Sequence, residues 1–180
     1  METISEIIAR QSGVIARFQA LGHGVTENDV RRLLRRREWV ALHPGVYVDH
    51  TGVPAWIQRA WGAVLFAWPA ALCAESALRA TEGPGRRDDG LIHVAIDRHR
   101  SLAAPPGVRV HRMAHLRART RWNLGPPRLR YEDAVLDVAA SADTELTAVG
   151  VLVGAVQSRR TTAKRMSDAL ADRERSPRRR

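Results

Sequence analysis

The segment 26–48 changes its hydrophobic periodicity once, and this change restricts the folds open to the chain more than any other feature. Up to Arg37, apolar residues recur at helical spacing and fall on one side of a helical wheel; they are Val30, Leu33 and Leu34. After Arg37, two β-rich runs flank a His-Pro-Gly turn at 43–45, which is typical of a β-hairpin. The segment therefore predicts an amphipathic helix followed directly by a hairpin.

The opposite face of this predicted helix is polar and almost wholly cationic. It carries Asn28, Arg31, Arg32, Arg35 and Arg36. An ordinary solvated face intersperses acidic residues that pair with basic ones four positions away. Here no acidic residue occurs between Asp29 and Glu38. The pattern favours a face that contacts a polyanion, with a solvated helix face as the alternative.

Two shorter helices are predicted before this one. Thr3 begins a capping box and isoleucines follow at helical spacing, which predicts a helix to about residue 13. A second helix near residues 16–21 would bury Phe18 and Leu21 and stop at a glycine. Thr26 caps the third. Three helices and a hairpin within residues 1–50 follow the order of a winged helix-turn-helix, a DNA-binding unit.

The remaining residues predict a small mixed α/β domain over 54–173, after a linker that ends at Pro54. Its predicted strands are 91–96, 108–112 and 128–130, and its predicted helices are 54–68, 71–81, 131–140, 144–158 and 161–173. Residues 174–180 are predicted to form a basic disordered tail. The predicted fold class is α+β: a winged helix-turn-helix followed by a domain with a short sheet and several helices.

Charge indicates the kind of partner. The 29 lysines and arginines exceed the 19 aspartates and glutamates, for a net charge of +10, which favours nucleic acid or an anionic membrane surface. The longest apolar run, 60–74, contains Pro69 and falls short of the ~20 residues of a membrane span. With no signal peptide recognisable and a single cysteine, Cys73, we expect a soluble cytoplasmic protein that does not engage the membrane.

Catalytic and metal-binding patterns are not recognisable. A nuclease of the common restriction type needs an acidic residue two positions before a lysine, and the only lysine, Lys164, has Thr162 there. His111 and His115 have the spacing of a zinc pair, but the first ends a predicted strand and the segment lacks a glutamate base. We therefore expect no enzyme activity, no metal and no cofactor.

Residues 6–48 resemble the N-terminal winged-helix domain of AbiEi-type antitoxins, which belong to type IV toxin–antitoxin systems. The matching features are Gly-Val before the second helix, Leu-Gly after it, the arginine-rich third helix, and Trp-Val-x-Leu-x-x-Gly-Val-Tyr at 39–47. The similarity is weaker in LCAESALRATEG, IHVAID, VRVHR and YEDAVLDVAA. The resemblance implies a winged-helix domain followed by an α/β domain. It also implies operator binding and autorepression beside a nucleotidyltransferase-like toxin.

The chain departs from this family in two ways. Ala16 stands where the family often has a serine or threonine cap, so the second helix should be less firmly capped. Many actinobacterial relatives also carry a C-terminal endonuclease-like domain, whereas this sequence stops at Arg180. A short form, a remnant of a longer protein and a pure DNA-binding protein all remain open. The alternatives to a DNA-binding antitoxin are the non-catalytic front end of an endonuclease-domain protein and a protein-interaction module.

These inferences give a specific set of site residues. Arginines of the third helix should divide between phosphates and base edges, with guanine the favoured base; Asn28 should read adenine, and the hairpin should follow the DNA backbone or minor groove. The predicted DNA contacts are Arg17, Thr26, Asn28, Arg31, Arg32, Arg35, Arg36 and His43. Trp61 and Trp68 lie on an apolar stripe and are predicted to be core. Trp56 and Trp122 lie off it, and we predict an interface there for a second copy or a toxin.

Overall fold

The computed structural model describes residues 2–86 and 89–175, and the chain is an α+β protein, as the sequence predicts. The N-terminal unit contains three short helices and three short strands. Its elements are α1 (Ile4–Arg10), β1 (Val14–Ala16), α2 (Arg17–Gly22), α3 (Glu27–Arg35), β2 (Val40–His43) and β3 (Val46–Val48). The strands form an antiparallel sheet in the order β1-β3-β2. One core cluster joins the helices to this sheet and contains Ile7, Ile15, Ala20, Val30, Trp39 and Tyr47.

Strand β1 was not predicted from the sequence. Helix α1 ends at Arg10 rather than near residue 13, because Ser12 and Gly13 adopt positive φ angles of 57° and 89°. The next three residues pair with β3, with Val14 opposite Val48. A three-residue strand is too short to show a periodicity, and its partner lies more than thirty residues away in the sequence.

The second half is built on a mixed five-stranded sheet with the order β6-β5-β4-β8-β7. Its elements are α4 (Trp56–Phe66), β4 (Ala71–Leu72), α5 (Ala74–Glu82), β5 (Ile92–Asp97), β6 (Val108–Met113), α6 (Leu116–Arg119), β7 (Thr120–Arg121), β8 (Arg128–Leu129), α7 (Tyr131–Ala140), α8 (Glu145–Gln157) and α9 (Ala163–Arg175). The predicted strands are confirmed as β5, β6 and β8, whereas β4, β7 and α6 were missed. Of the predicted tail, residues 174 and 175 belong to α9, and residues 176–180 lie outside the described residues.

Helix α4 packs against both halves of the protein. Trp61 and Leu65 pack against strands of the N-terminal sheet. Ala60, Ala63 and Val64, on another side of the same helix, belong to the core of the second half. The helix that follows the predicted linker therefore completes two cores at once.

Two aromatic residues predicted to be buried are exposed. Trp68 was expected to extend the apolar stripe of Trp61, but α4 ends at Phe66 and Trp68 is 42% exposed. Phe18 is 51% exposed. It precedes the buried Ala20 by two residues and so points to the opposite side of α2. Trp61 is buried, as predicted.

Candidate nucleic-acid interface

Helix α3 begins with the predicted cap. The Thr26 hydroxyl oxygen accepts a hydrogen bond from the Asp29 amide at 3.1 Å, and the Asp29 carboxylate accepts from the Thr26 amide at 3.1 Å. The Thr26 hydroxyl also donates to this carboxylate at 2.6 Å. These hydrogen bonds from Thr26 lower the pKa of the Asp29 carboxyl. The hydroxyl group of Thr26 thus helps to fix the start of the helix.

The two faces of α3 differ as the sequence predicts. Val30 is buried in the core of the N-terminal unit, and Leu33 and Leu34 pack against it. The polar face is exposed; its members are Asn28, Arg31, Arg32, Arg35 and Arg36. Because the apolar side anchors the helix, the arginine face is presented to solvent on a fixed support.

Only some of these arginines have acidic partners. Arg32 forms an ion pair with Asp29 at 2.8 Å, and Arg36 with Glu38 at 3.7 Å. All four side chains of these pairs are about one-third exposed or more, and such surface pairs contribute little, roughly 1 kcal/mol or less. In the described part of the chain, Arg31 and Arg35 form no ion pair, and Arg31 instead donates to the Asn28 side-chain oxygen at 3.4 Å. The face thus keeps a large excess of positive charge.

Arg37 extends this cationic surface beyond the predicted set. It is exposed, it has no carboxylate partner among residues 2–86 and 89–175, and its positive φ of 57° turns the chain away from α3. Its position in the run RRLLRRR was the signal for it. On a helical wheel Arg37 falls on the same side as Val30, about 20° from it, but α3 ends at Arg35 and Arg37 lies beyond the helix. We add Arg37 to the candidate contacts.

Arg17 and His43 are placed differently from the arginines of α3. Arg17, the first residue of α2, forms an ion pair with Glu27 at the start of α3. The ring of His43 packs against Phe66, with centroids 5.5 Å apart, and lies beside Gly62 of α4. Burial lowers the pKa of His43. We leave His43 out of the proposed contacts because its ring packs on α4.

The two tryptophans predicted to form an interface are both engaged within the chain. Trp56 is half-buried and packs against the core of the second half, with the Arg79 guanidinium 5.0 Å from its ring centroid. The half-buried Trp122 donates from Nε1 to the Arg117 carbonyl at 3.1 Å and meets Trp68 edge-on at 5.9 Å. Trp56 is thus a packing residue rather than an exposed anchor. The exposed aromatic surface lies instead at Trp68.

Other polar groups in the described part of the chain do not assemble a metal site. No group of three or more histidine, cysteine, aspartate or glutamate side chains there could hold a metal ion. His111 stacks on His93, not on His115, and His93 Nδ1 lies 3.0 Å from His111 Nε2. Burial raises the pKa of the Cys73 thiol, which disfavours the reactive thiolate. Within the described helices, none is long and apolar enough to cross a membrane.

No protein-family model matches this chain, and a search of curated proteins finds no match. Function must therefore be inferred from the chemistry of the surface that the chain presents. The exposed face of α3, with Arg37 next to it, concentrates positive charge on one short, firmly anchored helix.

Proposed function

We propose that this protein binds double-stranded DNA in a sequence-specific manner through α3, with its N-terminal unit acting as a winged helix-turn-helix. The observation that carries this proposal is the exposed face of α3, where Arg31 and Arg35 lie one turn apart without acidic partners in the described chain. An α-helix fits the major groove of B-DNA, and arginine is the commonest reader of guanine there. The apolar face of α3 would hold the helix in position.

Contacts to DNA divide by position on α3. Asn28 lies in the first turn, the part of a recognition helix that usually meets base edges, and its amide suits adenine. The Asn28 side-chain oxygen accepts a hydrogen bond from Arg31. On binding DNA, both side chains would give up this hydrogen bond and contact the bases instead. Arg35, Arg36 and Arg37 lie at the other end of the helix, where contacts to phosphates are expected.

Duplex selection tests sequence specificity. The protein should enrich a short motif from a pool of random duplexes. Asn28→Ala should relax the preference at one position while leaving affinity for unselected DNA nearly unchanged, because a base contact carries sequence information and a phosphate contact does not. Enrichment of no motif would leave only non-specific binding. With magnesium or manganese, the DNA should remain uncut, since we propose that the protein is not an enzyme.

By its resemblance to AbiEi-type antitoxins, we further infer that the protein represses its own promoter in the cytoplasm and counteracts a nucleotidyltransferase-like toxin. The exposed residues Trp68 and Phe18, which line one cavity, replace Trp56 as the surface to test for the toxin contact. Expression beside a neighbouring nucleotidyltransferase gene should relieve growth arrest. If no such gene adjoins this one, or if growth arrest persists, the protein is a DNA-binding regulator without an antitoxin role.

A further inference from the structure

A cleft of about 800 Å³ lies in the second half of the protein, lined by residues of α6, β7, α7 and α9 and of the turns after β5 and β6. None of its lining residues comes from α3. Four exposed arginines line it, and they come from separate segments of the chain. Arg98 follows β5, Arg121 lies in β7, Arg130 precedes α7, and Arg165 lies on α9. We call these four residues the rim arginines.

The rim arginines have no acidic partners within residues 2–86 and 89–175. The one side-chain hydrogen bond among them runs from Arg98 Nε to His99 Nε2, at 3.0 Å. Positive charges that face one cleft repel each other. Guanidinium groups bind phosphate oxygens with two parallel hydrogen bonds. A bound phosphate would therefore satisfy several of these donors and relieve their repulsion.

The partly buried ion-pair network beneath the cleft is neutral overall and does not oppose an anion. Asp133 accepts from Arg119 at 2.8 Å and from Arg173 at 3.1 Å. Asp137 pairs with the same two arginines, both at 3.0 Å. Two carboxylates are thus matched by two guanidinium groups. The network holds Arg119 and Arg173 in fixed positions below the rim.

The remaining acidic residues of the cleft do not cancel the rim charge. Asp168 is paired with Lys164 at 2.8 Å. Glu132 accepts a hydrogen bond from the Thr161 hydroxyl at 2.8 Å, and Asp172 is exposed. The four rim arginines carry four positive charges, and the two carboxylates without an ion pair, Glu132 and Asp172, carry two negative ones. The cleft therefore has a net charge of +2.

We propose that this cleft binds an organic phosphate of nucleotide size. The volume lies within the range of small-molecule sites, roughly 300–1,000 Å³, and far exceeds the space that a lone phosphate ion requires. The alanines Ala114, Ala118 and Ala169 supply apolar surface beside the rim arginines, and guanidinium planes also stack on aromatic rings. The rim arginines would hold the phosphates, and the alanine surface would accept the base or sugar. Since the rim arginines lie outside α3, this site does not depend on the proposed DNA contacts.

Calorimetric titration of the full chain with ATP, in EDTA and low salt, tests the proposal. ATP should bind saturably, inorganic phosphate more weakly, and adenosine not measurably. Arg121→Gln/Arg165→Gln should weaken ATP binding by roughly tenfold or more, because each charge-assisted hydrogen bond contributes strongly. Arg109→Gln/Arg112→Gln removes the same charge from exposed residues of β6 outside the cleft and should change the affinity by less than about threefold.

Three results would overturn the proposal: no saturable binding of ATP, binding of adenosine as tight as that of ATP, or equal weakening of ATP binding in the two double variants. If ATP does not bind and Arg121→Gln/Arg165→Gln loses affinity for duplex DNA, the cleft instead extends the nucleic-acid surface. Thermal unfolding of both variants, followed by circular dichroism, checks that each retains the fold.

Discussion

At the scale of single residues, Asp133 is the most buried acidic residue in the part of the chain that the structure describes. It is 7% exposed and is held by Arg119 and Arg173, and the second arginine also donates to the Asp133 carbonyl. The three residues lie on α6, α7 and α9. Acidic residues in the first turn of α7 suit the helix dipole, and the sequence alone indicates no other role for them. The partners could not be predicted, because Arg119 and Arg173 are separated from Asp133 by 14 and 40 positions.

Asp133→Asn should lower the free energy of unfolding by about 3 kcal/mol, because removal of one partner leaves buried charge uncompensated. Urea denaturation of the full chain measures this loss. Asp168→Asn is the matched control, since its pair with Lys164 is largely exposed; it should cost about 0.5 kcal/mol or less. Equal losses in the two variants would show that the Asp133 network has no special structural role.

His111 on β6 and His43 on β2 make stability depend on pH. His93 is 6% exposed, lies 3.0 Å from His111, and places its Nε2 atom 3.1 Å from Asp89. Burial and the neighbouring His93 lower the pKa of His111. Burial also lowers the pKa of His43. In both cases the folded state favours the neutral ring.

Stability should therefore fall as the pH drops from 7.5 to 5.5. In the unfolded chain these histidines take up protons near their ordinary pKa of about 6.5, whereas in the folded chain they take them up only at lower pH. Each proton that the unfolded chain binds and the folded chain does not lowers the free energy of unfolding by up to about 1.4 kcal/mol for each unit by which the pH falls. Urea denaturation at several pH values should show a smaller slope for His111→Gln than for the wild type. An identical slope, or a wild-type stability that rises toward pH 5.5, would contradict the assignment.

At the scale of elements, the reciprocal hydrogen bonds of Thr26 and Asp29 define where α3 starts. Thr26→Ala should destabilise the protein by about 1 kcal/mol, the usual cost of losing a helix N-cap. Thr26→Ser retains a hydroxyl acceptor and should cost only a few tenths of that. Thermal and urea unfolding of the two variants compare them directly. If Thr26→Ser is as destabilising as Thr26→Ala, the hydrogen bond from the Asp29 amide to the Thr26 hydroxyl does not stabilise α3.

Elements with a long, regular pattern were predictable, and the shortest ones were not. Helix α7 has the predicted bounds, residues 131–140, and β5 and β6 begin within a residue of their predicted starts. Strands β4 and β7 have two residues each, too few to show a periodicity. Strand β4 forms through pairing with the distant β5, and β7 through pairing with the nearby β8. Ala16 leaves α2 without a side-chain cap, as expected, and Gln19 compensates by accepting from the Ala16 amide at 3.0 Å.

At the scale of the whole molecule, α4 ties the two halves together, and the same helix determines how two of the predicted site residues pack. His43 was predicted to contact DNA; α4 lies against β2, and the half-buried ring of His43 packs beside Phe66. Trp56, at the start of this helix, packs into the second core. Both outcomes depend on how α4 is oriented between two sheets. A hydrophobic stripe does not reveal that orientation.

Because α4 serves both cores, the halves should unfold together. Leu65 faces the N-terminal sheet and Val64 faces the second core. Leu65→Ala should lower the free energy of unfolding by about 3 kcal/mol and Val64→Ala by about 2 kcal/mol, and each should destabilise both halves. Hydrogen exchange followed by mass spectrometry should show peptides from β3 and β5 losing protection together in each variant. Loss confined to the nearer half would mean that the halves are independent units.

Binding of α3 to duplex DNA is the central claim, and the salt dependence of affinity tests it most directly. The measurement is fluorescence anisotropy with labelled DNA from the protein's own promoter, at about 50 and about 200 mM salt. The affinity of the wild type should fall steeply as the salt concentration rises, because each phosphate that the protein neutralises releases counterions. Arg31→Ala/Arg35→Ala should bind roughly tenfold or more weakly and reduce the log–log salt slope by about 1 to 2. Arg109→Ala/Arg112→Ala, which removes the same charge from β6, should stay within about threefold of wild type. Unchanged affinity and slope in the α3 variant would contradict the assignment of α3 as the DNA-reading helix.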